Sequence, residues 1–294
     1  MSWQIAVIFT GVISALAQIV GKRQVSQMGA FQSGVIRDIA SLVFVLVVLS
    51  FTTGIPELFT WQAVAIFIFG ILESVSLAAY FAAQRQEMAA TAVFSYPFSQ
   101  LLIILMSGFA FAEWRYFDVH TVQGIVNSVA LILTFGLMIV YQGGKEEIKG
   151  KIRWSTALVL SAVIISVSNI ESKWAMSVLH YTPAQAMLYE YAGLILGGSV
   201  YMILKKQSMQ TSKINILWGL LQGTLYAVST YWYIGLLTDH PLGISSVMRR
   251  VTIVLMTVVA GLWGWGENKR LTWRQIVTLI LGLLVFVLVM AVNR

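Results

Sequence analysis

Polar positions are sparse along this chain, and the apolar runs between them are long. Ten runs, each near the roughly 20 residues needed to cross a bilayer, fall at about 3–21, 31–51, 61–83, 91–112, 118–141, 154–175, 183–204, 214–237, 243–263 and 272–292. The longest hydrophilic stretch is 142–153 (QGGKEEIKGKIR), which mixes glycine with alternating charge and has no apolar face, so it reads as a linker. The pattern predicts an all-α, polytopic membrane protein of ten transmembrane helices. Five helices lie in 3–141 and five in 154–293.

The two halves repeat one another. Residues 70–80 (GILESVSLAAY) and 223–233 (GTLYAVSTYWY) share Gly70/Gly223, Leu72/Leu225, Val75/Val228, Ser76/Ser229 and Tyr80/Tyr233. From Trp3 and Trp154 onward, Ala6 matches Ala157, Val12 matches Val163, Ile19 matches Ile170 and Lys22 matches Lys173, with Gln18 opposite Asn169. Gln32 matches Gln185, which sets Arg37 opposite Glu190, and the fourth helix of each half ends at Glu113 or Glu267. Five is odd, so the second copy enters the membrane from the other side and the repeats are inverted. In the first copy Glu73, Ser76 and Tyr80 share a helix face, and Tyr226, Ser229 and Tyr233 share it in the second. Lipid does not select such a stripe twice, whereas a cavity does; small hydroxyl residues also pack helices together in membranes.

Composition agrees. The chain is 58% hydrophobic and 11% charged, with a mean hydropathy of +0.81, against about 25% charge in a soluble domain. Trp3, Trp61, Trp154 and Trp273 begin apolar runs, where interfacial tryptophan belongs. Ala15-Leu16-Ala17 imitates a signal-cleavage site, but no Lys or Arg precedes it, so the first run is expected to stay as a helix. The net charge of +7 is loop charge rather than a nucleic-acid signal, since 13 Lys and Arg fall on the links and linker of one side. The other side holds Arg115 and Arg294. The bias predicts that the 13-charge side is cytoplasmic and both termini are outside, in a plasma membrane of the bacterial cytoplasmic type.

Several ionisable residues lie inside the apolar runs: Arg37, Asp38, Glu73, Glu171, Lys173, Glu190, Arg249 and Arg250. Each costs about 2.5–3.5 kcal/mol at a helix centre unless it finds a partner or water. Lys173 and Arg249 lie near helix ends and can snorkel. Arg37 can pair with Glu73 or Glu190 across helices, or these charges can face a hydrated site. Asp38 follows Arg37 by about 100° on a helix, so the two are not expected to face each other. Pro97 frees a backbone carbonyl at depth or simply kinks its helix, whereas Pro183 suits a helix start. Tyr189, Tyr191, Tyr231 and Trp232 add aromatic surface near these charges; it can hold an organic cation, stack on a ring, or fill a core.

Enzyme signatures are missing. His120, His180 and His240 lack metal-ligand spacing, there is no phosphate-binding glycine loop or nucleophile elbow, and there is no Cys. No metal or cofactor is expected.

Ten helices in two copies, Glu113 and Glu267 closing the fourth helix of each, and Pro97 mid-helix resemble the EamA-like members of the drug/metabolite transporter superfamily. The resemblance implies a central pocket lined by the first four helices of each half, with the fifth and tenth helices peripheral. It implies transport of small polar metabolites, amino acids, amines or sugar conjugates. Mapped members usually have cytoplasmic termini, opposite to the charge count here. The expectation is a secondary transporter working by alternating access about a midplane site of Arg37, Glu73, Ser76, Tyr80, Glu190, Tyr226, Ser229, Tyr233 and Arg250. Glu73 or Glu190 is the expected proton or cation partner and Arg250 the anion partner. Expected partners are a small-molecule substrate (amino acid, amine or other polar metabolite), the bilayer and at most a second copy of the chain, with no nucleic acid. The rivals are a membrane-embedded enzyme acting on lipid or a prenyl carrier, and a non-transporting sensor or assembly partner.

Overall fold

Among the described residues ten α-helices follow one another: α1 (Trp3–Gln27), α2 (Ala30–Phe51), α3 (Trp61–Gln86), α4 (Met88–Phe111), α5 (Val122–Gln142), α6 (Lys151–Ser177), α7 (Pro183–Leu204), α8 (Lys213–Leu236), α9 (Leu242–Leu262) and α10 (Trp273–Val292). This computed structural model describes the backbone of residues 2–52, 54, 60–86, 88–142, 151–207, 211–262 and 273–293, and their side chains except at 82–86, 88–95, 97, 137–142, 151–158 and 261–262. Among the described residues there is no strand. Six of these helices are long and apolar enough to cross a membrane, α10 the most apolar of them. Ile280, Leu283 and Val287 of α10 are more than half exposed, as lipid-facing residues are. The chain has the make-up of a helical membrane protein.

Local chemistry sets the helix ends. Thr182 and Gln185 form a capping box at α7: the Thr182 N–H donates to Gln185 Oε1 at 2.9 Å and the Gln185 N–H to Thr182 Oγ1 at 3.3 Å. Pro183 occupies the first turn, where its missing N–H costs nothing. Ser212 caps α8 through the Asn215 N–H at 3.3 Å. Several boundaries differ from expectation: α3 runs to Gln86, α4 starts at Met88, and α6 starts at Lys151, inside the expected linker; two further differences have a local cause. α1 runs on to Gln27, so Lys22 and Arg23 lie on its last turns rather than in a link, and the chain breaks only at Met28 and Gly29. α5 starts at Val122 instead of 118, because Glu113–Phe117 forms a 3-10 turn and Asp118 folds onto the His120 N–H at 2.9 Å.

The helices pack mainly across the two halves. α3 lies on α7 and α8 on α2; α1 lies on α8 and α6 on α3; α1 also meets α9 and α6 meets α4. α5 and α10 pack chiefly on each other. The α3–α7 and α2–α8 crossings are close because glycine permits it. A methyl group added at Gly70 would collide with the Glu190 carbonyl, and one at Gly223 with the Arg37 carbonyl. The repeated glycines thus bring α7 against α3 and α2 against α8 at the positions that carry Glu190 and Arg37. The termini meet on one side of the bundle, where Gln4 Nε2 donates to the Asn293 carbonyl. Glu267, Lys269, Arg270, most of the linker and the side chain of Pro97 lie outside the described residues; α4 is helical through Pro97.

Candidate functional site

On a helix, positions i, i+4 and i+7 fall within about 60° of one another. In α3 these are Glu73, Leu77 and Tyr80, and in α8 the matched residues are Tyr226, Thr230 and Tyr233. All six line one cavity of about 110 Å³. Arg37 of α2 and its match Glu190 of α7 line it too. So do Ser14, Ala17 and Gln18 of α1 with their matches Ile165, Ser168 and Asn169 of α6. α4 contributes Tyr96, and α9 contributes Arg249 and Arg250 among others. Glu73 and Glu190 lie near the middle of their helices, so the cavity lies at mid-span.

The cavity has an acidic and a basic pole. At the acidic pole the Ser168 hydroxyl faces two carboxylates, with Glu73 Oε2 at 3.0 Å and Glu190 Oε1 at 3.2 Å. Both glutamates are at least nine-tenths buried. Two carboxylates on one hydroxyl call for a positive group, either a proton or a cation. Glu171, also buried, adds a third carboxylate close to Glu73 but outside the lining, and its Oε1 has no partner among the described residues.

At the basic pole the Arg249 guanidinium lies over the Tyr233 ring, 4.2 Å from its centroid, and Nη2 donates to Ser14 Oγ at 2.8 Å and Ser229 Oγ at 3.1 Å. Arg250 stacks 5.3 Å over the Tyr96 ring, and its Nη1 donates to Ser99 Oγ and, at 3.5 Å, to the Tyr96 carbonyl. Tyr80, Tyr96 and Gln18 tie the floor of this pole together: Tyr80 donates to Gln18 Oε1 at 3.0 Å, and the two phenols lie 3.1 Å apart. Gln18 Nε2 donates to the Tyr96 hydroxyl.

Seven of the nine expected site residues line the cavity: Arg37, Glu73, Tyr80, Glu190, Tyr226, Tyr233 and Arg250. Ser76 and Ser229 do not. The i+3 flank of each stripe turns onto a neighbouring helix, so Ser76 Oγ donates to the Ser161 carbonyl at 3.0 Å and Ser229 Oγ to the Thr10 carbonyl at 2.7 Å. Thr10 and Ser161 are themselves matched positions. Arg37 pairs with neither glutamate. Its Nε reaches Asp38 Oδ1 at 2.6 Å, and its guanidinium stacks on Phe81 and Tyr226 at 5.1 and 4.6 Å. The expectation that Arg37 and Asp38 do not meet is therefore overturned. The angle between their Cβ directions is as expected, but an arginine is long enough to curl back along the helix, and burial rewards the nearest carboxylate.

Lys173 and Arg249 do not snorkel. Lys173 Nζ lies 2.9 Å from Glu113 Oε1 and donates to the His240 carbonyl at 2.8 Å. Glu113 in turn accepts the Leu242 and Gly243 N–H groups at 2.9 and 3.0 Å, an anion at the start of α9. Ala112, left-handed at φ 53°, ends α4 and turns the chain there. The His240 ring stacks on Trp3 at 4.7 Å, and partial burial, with Lys173 nearby, holds its pKa below the ordinary value. Trp232 is 45% exposed and Tyr231 packs on Phe44, so neither lines the cavity. Tyr189 and Tyr191 are core residues. Ser168, Arg249, Tyr96 and Gln18 were not singled out as site residues from the sequence; the match of Gln18 to Asn169 was the available signal for the α1–α6 wall. Among the described residues, no group of three or more His, Cys, Asp or Glu could hold a metal.

No family model matches the chain, and neither does any curated protein. A solved structure described only as "Crystal structure of protein" superposes with a TM-score of 0.69 over 96% of this chain and 95% of that one, at 17% identity. At that identity the likeness is one of fold.

Proposed function

We propose that this chain is a secondary transporter of a small polar organic solute, built from two inverted five-helix repeats of the EamA-like type, in a bacterial cytoplasmic membrane. The observation that carries the proposal is the pair of matched stripes, Glu73-Leu77-Tyr80 and Tyr226-Thr230-Tyr233, facing one polar cavity at mid-span. Supporting it, the lining comes from α1–α4 and α6–α9, with matched residues from α1 and α6, α2 and α7, α3 and α8. α5 and α10 stand aside, as the resemblance implies. In an alternating-access cycle, the two halves rock about this cavity and open it to each side in turn. The charges at its poles are expensive in a membrane unless they serve a solute. A polar cavity also favours this reading over a non-transporting assembly partner, whose centre would be packed dry.

The test starts with the full chain purified in detergent and screened for thermal stabilisation by a metabolite library; a solute at about 100 times its dissociation constant adds about 2.7 kcal/mol. Hits are then followed by counterflow in proteoliposomes. The proposal predicts at least one stabilising solute that exchanges across the bilayer. Stabilisation by none, with no solute exchanged, contradicts it. If Glu73→Gln and Glu190→Gln each left exchange and its pH dependence unchanged, the coupling role of the acidic pole would be withdrawn.

A further inference from the structure

From the two poles of the cavity we infer the charge class of the solute, an inference that rests on the transporter reading above: it is a zwitterion, with its ammonium group at Glu73 and Glu190 and its carboxylate at Arg249 and Arg250.

The argument begins with which charges are already paired. Among the described residues, Arg37 is held by Asp38 and Lys173 by Glu113. Arg250 is buried like them and Arg249 is partly buried, yet among the described residues neither has a carboxylate partner; both rest on tyrosine rings and neutral oxygens. Glu73 and Glu190 likewise meet each other and the neutral Ser168 hydroxyl, with no cationic partner among the described residues. Unpaired cations and unpaired anions therefore line one cavity without meeting, since among the described residues no hydrogen bond or ion pair joins the poles.

The geometry of each pole fits half of such a solute. An ammonium group has three donors, and two adjacent carboxylates with a hydroxyl between them offer acceptors to match. At the other pole, the hydrogen bonds to described residues leave Arg249 only from Nη2 and Arg250 only from Nη1, so each cavity-lining guanidinium keeps further N–H donors. These donors suit a carboxylate, which arginine holds through two parallel bonds. A singly charged solute satisfies one pole and leaves the other desolvated and unpaired, the costly condition for a buried charge. A zwitterion satisfies both.

The inference is tested on the full chain in proteoliposomes with three matched probe sets. The zwitterions are the standard L-amino acids, 4-aminobutanoate and 6-aminohexanoate; the cations are their carboxamides; the anions are the corresponding acids lacking the amine. Thermal stabilisation gives binding and counterflow gives exchange. At least one zwitterion is expected to bind and exchange, with its carboxamide and its deaminated acid each about 100-fold weaker. In Glu73→Gln/Glu190→Gln the zwitterion falls to the level of the deaminated acid, whose own weak binding persists and shows that the variant is folded. In Arg249→Gln/Arg250→Gln it falls to the level of the carboxamide. Carboxamides or acids that bind the native chain as tightly as the zwitterions overturn the inference, and their exchange leaves the transporter reading standing. Zwitterions that fail to bind while another library solute exchanges overturn the inference alone. Absence of exchange by every probe and every library solute removes both.

Discussion

The α3 wall of the cavity and the α8 wall share one register and differ in chemistry. Both begin with a glycine that lets a helix of the other half approach: Gly70 faces the Glu190 carbonyl and Gly223 the Arg37 carbonyl. Both turn a serine onto a carbonyl of the first helix in the opposite half. Both end in a buried tyrosine on the cavity, Tyr80 and Tyr233. They diverge at Glu73 against Tyr226 and at Leu77 against Thr230. The crossing helices diverge likewise, with Arg37 against Glu190. Shared positions build the frame, because the glycine contacts and serine hydrogen bonds recur at matched positions of α3 and α8. Differing positions give the cavity its acidic pole, since Glu73 and Glu190 stand where the other half has Tyr226 and Arg37, while the basic pole comes from Arg249 and Arg250 of α9.

The comparison can be broken most severely at the first divergent pair. Glu73→Gln is expected to lower solute affinity by about 100-fold, since it removes a buried charge from the acidic pole. Tyr226→Phe, at the matched position, is expected to change it less than about 3-fold, because the Tyr226 hydroxyl makes no hydrogen bond among the described residues. Binding isotherms on the purified variants check both, and equal losses would mean that the divergence carries no chemistry.

A second prediction concerns the frame. Glu113→Ala leaves Lys173 buried without its carboxylate and uncaps two N–H groups of α9, a loss of about 3 kcal/mol or more. Adding Lys173→Met removes the orphaned charge and should restore part of it. Thermal unfolding in detergent measures the difference.

The smallest effect sharpens the shared positions. Ser76→Ala and Ser229→Ala should each cost about 0.6 kcal/mol of stability, since each loses one donation to a carbonyl of a neighbouring helix. Only Ser229 also accepts a bond from the cavity arginine Arg249, at 3.1 Å. Ser229→Ala should therefore weaken solute binding by about 5-fold, the worth of one modest hydrogen bond, while Ser76→Ala leaves it unchanged.

Helix number, order and most ends were legible in the sequence because bilayer thickness fixes the length of an apolar run. The matched residues also foretold which stretches of α3 and α8 would face the cavity. They did not tell which flank of each stripe turns inward. Ser76 and Leu77 lie on opposite sides of the line from Glu73 to Tyr80, and only the packing of α6 decides that the serine is covered. Partner choice was illegible for a related reason. A buried guanidinium takes the nearest carboxylate within reach of a flexible chain, so Arg37 found Asp38 rather than Glu73 or Glu190. Arg249 looked like a helix-end residue that could reach water. Its position in the cavity wall follows from the α1–α9 contact, and no local pattern encodes that contact.

The central claim is that matched faces of α3 and α8 enclose a water-filled, solute-accessible cavity while their other faces meet lipid. The chain has no cysteine, so single cysteines report position without background. Leu77→Cys and Thr230→Cys would be compared with Leu72→Cys and Val75→Cys, whose native side chains are 52% and 45% exposed on the outer surface. The probe is a membrane-impermeant cationic thiosulfonate applied to proteoliposomes. The account predicts labelling at 77 and 230 that bound solute slows, and none at 72 or 75. Labelling at 72 and 75 with 77 and 230 inert would contradict it.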